Sequence, residues 1–223
     1  MFRALITALL LVGLGHVCEA QPISEDQQPA ADKSDFSRFL PSNAVLVMQL
    51  SVQFAGKSSA ERVLAYASES DSFVTTGIRV VKGGAVIFEE SADVNNGAGG
   101  HDAVRIEKVK DRNGAEGVVV SLKSSGAGTA IAWHVLRMAD GKISRLEPGR
   151  ARANALTRRG YKDWGYNAVT ANGEYIVETQ PGYSRSTARC CPDRPTIEMT
   201  FRFTGTGLRL DKVSSLPFTA TKY

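Results

Sequence analysis

Short runs of β-branched and aromatic residues, each closed by Gly, Asp, Asn or Pro, recur along this chain and commit it to a mainly β fold of consecutive antiparallel hairpins. The runs are Ala44–Phe54, Gly77–Val81, Ala85–Phe88, Ala103–Val109, Val118–Leu122, Ala130–Met138, Tyr175–Thr179, Ile197–Phe203 and Leu208–Val213. Gly83-Gly84, Asp140-Gly141 and Gly205-Thr206-Gly207 supply turns that accept positive φ. Helix signals are few. Ser58-x-x-Glu61 has the form of a capping box ahead of Ala60–Ser68, but Arg62–Ala67 also reads as a strand, and the strand reading is preferred. Arg150–Arg159, rich in Ala, Leu and Arg, predicts one short helix.

The strand reading of 62–67 is preferred because the chain repeats itself. A glutamate stands ahead of a β run three times, at Glu61, Glu116 and Glu174, with spacings of 55 and 58 residues. Each run is followed by a polar or Gly-rich loop and then a hairpin: Ile78–Phe88, Trp133–Leu146 and Thr200–Leu210. Three diverged β-meander units are the economical account. Three units fall short of the four or so blades a closed propeller needs, so no closed ring is expected.

The N-terminus carries an address. Arg3 is followed by the apolar run Leu5–Leu14, the length of a signal h-region and too short for a bilayer span. Cys18-Glu19-Ala20 places small residues at −3 and −1 of a cleavage site, so residues 1–20 read as a signal peptide cleaved before Gln21. The alternative is lipidation at Cys18, although Gly15-His16-Val17 ahead of it makes a poor lipobox. Residues 21–37, rich in Gln, Ser, Asp, Pro and Ala, bury too little to offset their ordering entropy and read as a flexible linker. Residues 38–223 are then a single β-rich globular domain, placed in the periplasm or outside the cell, with no transmembrane segment once the signal is removed.

Charge excludes some partners and suggests others. The chain has 27 Lys+Arg and 23 Asp+Glu, a net charge of +4 that is too mild to imply nucleic acid. The excess is local. Between Lys142 and Lys162 lie Arg145, Arg150, Arg152, Arg158 and Arg159, with Glu147 as the single acid. Tyr161, Trp164 and Tyr166 follow. Arg158, Arg159, Tyr161, Trp164 and Tyr166 together suit a binding surface for an anionic envelope component or a partner protein. The competing reading is a solvated charged face with aromatic core plugs.

The stretch Val109-Lys110-Asp111-Arg112-Asn113-Gly114-Ala115-Glu116-Gly117-Val118-Val119-Val120 resembles a shortened form of the Asp/Gly/Glu loop and strand of FG-GAP and VCBS-type repeats. Cys190-Cys191-Pro192 ahead of a strand and Gly205 resembles the C-terminal signature of small exported bacterial proteins. The resemblance implies an exported bacterial β-rich protein and brings no defined activity. It also implies a candidate Ca²⁺ loop with Asp111, Asn113 and Glu116 as oxygen ligands. Against that, Lys110 and Arg112 flank the loop and repel a cation, and a hairpin turn in which Asp111 and Asn113 cap backbone amides explains the same residues.

Cys190 and Cys191 are adjacent, and adjacent Cα atoms lie about 3.8 Å apart, below the usual disulfide span. A strained vicinal disulfide, two free thiols, and intermolecular bridging or metal binding all remain open, with a structural turn lock ahead of redox chemistry. Nucleophile, zinc and phosphate-loop motifs are missing from the sequence. His134 sits within a strand-like run and reads as a strand residue, while His101-Asp102 follows the Gly-rich Gly97–Gly100. The leading expectation is an exported, non-catalytic binding or interaction module needing no cofactor. The alternatives are an extracytoplasmic hydrolase with a site near His101 and Asp102, and a structural envelope protein.

Overall fold

Gly83 and Gly84 both take positive φ, +56° and +81°, as do Asp140 at +50° and Gly141 at +75°. Two consecutive positive φ values are what a type I′ turn requires, and each pair joins antiparallel strands in the registers Lys82↔Ala85 and Ala139↔Lys142. The computed structural model describes residues 36–54, 60–69, 73–95, 103–124, 130–163, 168–184, 186 and 192–217. They lie in one unit from Asp32 to Tyr223.

The strands form three four-stranded antiparallel sheets, each with its strands side by side in chain order. The first holds β1 (Ala44–Val52), β2 (Glu61–Glu69), β3 (Phe73–Lys82) and β4 (Ala85–Asn95). The second holds β5 (Val104–Lys110), β6 (Glu116–Ser124), β7 (Ala130–Ala139) and β8 (Lys142–Leu146). The third holds β9 (Ala168–Asn172), β10 (Tyr175–Gly182), β11 (Arg194–Phe203) and β12 (Leu208–Ser215). One α-helix among the described residues, α1 (Gly149–Arg158), joins the second sheet to the third. The mainly β hairpin meander expected from the sequence is the observed fold. The segment with two readings, 60–68, is strand β2, and the expected helix at 150–159 is α1.

The sheets stack with the second in the middle. Val52, Val63, Ala65, Ile78 and Val80 of the first unit meet Val104, Ile106, Val118, Val120 and Leu136 in one apolar layer. Val109, Val119, Trp133 and Val135 meet Val169, Ile176, Ile197, Met199, Phe201 and Phe203 in the other. Successive side chains of a strand point to opposite faces, so a sheet covered on both sides needs continuous apolar runs. That is why Val118-Val119-Val120 are all buried. β10, with one face in the core, alternates half-buried and buried along its whole length.

Both ends of the stack are finished. A single 3₁₀ turn, Ser37–Phe39, lays Phe36, Phe39 and Leu40 over Leu46, Leu64 and Val81 on the outer face of the first sheet. Arg79 donates to the Phe39 carbonyl at 2.6 Å. Phe36 and Ser37, the end of the stretch read as linker, thus belong to the folded part. The outer face of the third sheet is polar instead: Arg202 and Arg209 both pair with Asp211, at 2.6 and 2.7 Å, and Arg202 Nη2 donates to Tyr175 Oη at 3.2 Å. A polar outer face is what a terminal unit of a stacked array needs to avoid adding further units.

The three repeated glutamates stand at the start of the second strand of each sheet, Glu61 and Glu116 as its first residue and Glu174 just before it, and act as ties. Glu61, fully buried, accepts the Phe54 N–H at 3.2 Å and pairs with Lys82 at 2.9 Å. Glu116 accepts the N–H of Gln53, just past β1, at 2.8 Å, and pairs with Lys108 at 3.4 Å. Glu174 takes a bidentate contact from Arg112, just past β5, at 2.9 Å. The glutamates of the second and third units therefore reach back to the chain that follows the first strand of the preceding unit. Glu107 adds a further tie by accepting the Ala171 N–H at 2.5 Å, and Lys110 N–H donates to the Gly173 carbonyl at 2.9 Å.

Candidate functional site

α1, with its C-cap, carries two of the arginines that the sequence offers as a binding surface, Arg158 and Arg159. Its ten residues are mostly Ala, Leu and Arg, good helix formers. It stops at Gly160, whose φ of +69° is the left-handed value that glycine adopts without cost from a Cβ. Gly160 N–H donates to Thr157 O at 3.0 Å and Tyr161 N–H to Leu156 O at 3.0 Å, the paired bonds of a Schellman cap. Leu156 and Ala155 enter the apolar layer between the second and third sheets, and Tyr161 packs beside them.

Arg152 fixes the helix from its other side. Its Nε donates to the two oxygens of Glu178 at 2.8 and 3.0 Å, its Nη2 to Gln180 Oε1 at 3.0 Å, and its remaining donors meet Asp163. Glu178 is fully buried and also accepts the Trp133 Nε1–H at 2.9 Å. Burial pulls the Arg152 guanidinium downward, but Asp163 and Glu178 outweigh it and hold its pKa above the ordinary value. This cluster closes on itself and orients α1.

A further stripe of α1 borders solvent, with Ala151, Asn154 and Arg158 exposed and Ala155 buried beneath them. Ala151, Asn154, Ala155 and Arg158 follow the spacing of one helical face, and with Arg159 they line a groove whose far wall is Leu210 and Val213 of β12. The groove holds about 280 Å³. Among the described residues, no acidic side chain lines it. Arg158 and Arg159 are exposed and, among the described residues, form no ion pair, whereas Arg152 on the same helix meets both Asp163 and Glu178. Arg159 Nη1 donates to the Ala155 carbonyl at 3.5 Å.

The residues singled out in the sequence fall into three groups. Arg158 and Arg159 come together in the groove. Tyr161 does not join them: its hydroxyl donates to the Pro195 carbonyl at 3.1 Å and its ring lies under Arg194 at 5.7 Å. Trp164, Tyr166, Cys190, Cys191, His101 and Asp102 lie outside the described residues. Sequence reading missed Ala151, Asn154, Leu210 and Val213. The i, i+3, i+4, i+7 spacing of 151, 154, 155 and 158 is the signal that marks the helical wall, and nothing local in the sequence pairs it with β12.

The candidate Ca²⁺ loop is a capped turn. Asp111 Oδ1 accepts the Asn113 and Ala115 N–H groups at 2.9 and 2.8 Å, and Glu116 faces Gln53 and Lys108 instead of the loop. Among the described residues no three His, Cys, Asp or Glu side chains gather as a metal site. His134 is buried in β7 with Nε2 3.2 Å from Glu90 of β4, and the same Glu90 oxygen meets Arg145 at 2.8 Å. It ties the first sheet to the second and takes no part in the groove. The chain matches no protein-family model, no curated protein and no solved structure. Among the described residues, no helix is long and apolar enough to cross a membrane.

Proposed function

We propose that the chain is an exported, non-catalytic binding module, carried to the periplasm or beyond the cell by residues 1–20, that presents the α1/β12 groove to an anionic envelope component or partner protein. One observation carries the binding part: Arg158 and Arg159 stand exposed beside an open groove and, among the described residues, form no ion pair. Two buried carboxylates are matched within the protein, Glu178 by Arg152 and Glu90 by Arg145. Unmatched guanidinium groups at an apolar surface suit recognition of carboxylate or phosphate. The bland account of these arginines is that cations at a helix C-terminus complement its dipole. That account explains their position on α1 but not the groove they line. Export rests on Arg3, the Leu5–Leu14 run and Cys18-Glu19-Ala20.

The test is a pull-down from envelope extract with the wild type beside Arg158→Glu/Arg159→Glu. The wild type is expected to retain partners that the variant loses. Identical partner sets would remove this groove as the binding surface.

A further inference from the structure

The groove has two chemically different ends. Exposed Ala151 and half-buried Leu210 and Val213, with the buried Ala155 beneath them, give it an apolar floor, while Arg158 and Arg159 stand at the C-terminal end of α1. That helix end carries roughly half a negative charge, so the field offered to a ligand is near +1.5 from two guanidiniums. A single carboxylate would leave part of it unmatched, and a phosphate near its second ionisation matches it more closely. Two guanidinium forks also present their donors in the geometry that phosphate oxygens accept. Size sets the rest. At about 280 Å³ the groove lies just below the roughly 300–1,000 Å³ of pockets that engulf a drug-sized ligand. It suits one ring or a short alkyl segment beside the head group.

We propose, building on the reading of this groove as the binding surface, that it takes a phosphate-headed amphiphile, with the phosphate held by Arg158 and Arg159 and an apolar body seated on Ala151, Ala155, Leu210 and Val213. Asn154, on the same wall, supplies an amide for an ester or hydroxyl oxygen next to the phosphate. The chemistry is the same whether the head belongs to a free small molecule or to the head-group region of an anionic lipid.

Calorimetric titration of the full secreted chain with phenyl phosphate, inorganic phosphate and benzyl alcohol separates head from body. Phenyl phosphate is expected to bind severalfold more tightly than inorganic phosphate, because the ring adds buried apolar area, and benzyl alcohol is expected not to bind. Arg158→Gln/Arg159→Gln should weaken phenyl phosphate about tenfold or more while the protein stays folded, with melting lowered only by the small loss of helix-dipole complementarity. Ala151→Leu, a helix-compatible change at an exposed position, should fill the floor, abolish the preference for phenyl phosphate and leave inorganic phosphate binding intact. Equal binding of phenyl phosphate and inorganic phosphate by the wild type would overturn the proposal, as would an undiminished preference in Ala151→Leu. Phosphatidylcholine vesicles with and without phosphatidic acid then assign the source: co-sedimentation dependent on phosphatidic acid indicates a lipid, and phenyl phosphate binding without it a soluble ligand. If envelope partners still depend on Arg158 and Arg159 while phenyl phosphate does not bind, the ligand class falls and the binding surface stands. If neither depends on them, both fall.

Discussion

Gln53 donates its backbone N–H to Glu116 Oε2 at 2.8 Å, across 63 residues of sequence, and so ties the end of β1 in the first sheet to the head of β6 in the second. Burial alone pushes the Glu116 carboxyl upward, but the Gln53 N–H and the Lys108 and Lys110 ammonium groups outweigh it and hold its pKa below the ordinary value. A carboxylate with a depressed folded-state pKa contributes stability that is present above the unfolded value, about 4.3, and is lost as pH falls through the lower folded value. Glu116→Gln should therefore lose about 1 kcal/mol at pH 7. Its stability should also fall less steeply than the wild type's below about pH 4. Urea midpoints measured from pH 3 to pH 7 check both, and parallel pH curves for the two proteins would show that the tie carries no weight.

Arg152 faces a fully buried carboxylate, and removing one member of a buried pair costs far more than the pair itself is worth. Arg152→Met should cost about 3–5 kcal/mol, while Arg152→Met/Glu178→Leu should recover much of the loss. Guanidinium melts of the two variants make the comparison. A double variant no better than the single would place the stabilisation in Gln180 and Asp163.

Gly77 lies opposite Tyr66 in the β2–β3 register. A Cβ at this position would lie 2.5 Å from the Glu90 carbonyl oxygen and 2.6 Å from the Tyr66 ring. Neither the backbone oxygen nor the buried ring can give way freely. Gly77→Ala should destabilise by about 1–3 kcal/mol through overpacking, although alanine ordinarily favours a strand interior over glycine. Thermal melting decides the sign.

Phe39 seals the outer face of the first sheet with Phe36 and Leu40. Phe36→Ser/Phe39→Ser should uncover Leu46, Leu64 and Val81 and leave an exposed apolar sheet face, the kind of surface that associates. Sedimentation velocity should show concentration-dependent oligomers for the variant alone. A monomeric variant with full stability would mean that the segment covers nothing of consequence.

The repeat was legible because its markers are local. Glu61, Glu116 and Glu174, with the Gly83-Gly84 and Asp140-Gly141 turns, fix three hairpin units without knowledge of the tertiary fold. β9 was missed because Ala168–Asn172 is short and weakly apolar, yet the positive φ of Gly173, +60°, sits in a two-residue turn after Asn172, a hairpin signal present in the sequence. The start of β3 was missed for a different reason. Gly77 reads as a strand boundary, but it is there to admit the Tyr66 ring, and that ring belongs to the neighbouring strand. Val118-Val119-Val120 announces a strand buried on both faces, but which sheets cover it depends on long-range stacking. Half of the groove was legible in the same sense: Arg158 and Arg159 stand out as charges, while Leu210 and Val213 become a wall only when α1 is wedged against β12.

Methyl chemical shifts report on the groove most directly. With the methyl groups of Ala151, Ala155, Leu210 and Val213 labelled, a titration with phenyl phosphate should move these signals along saturating curves with one dissociation constant, and Arg158→Gln/Arg159→Gln should shift that constant about tenfold or more. Unmoved groove methyls, or larger changes at the methyls of Val45, Val86 and Ile87 on the exposed parts of β1 and β4, would contradict the account.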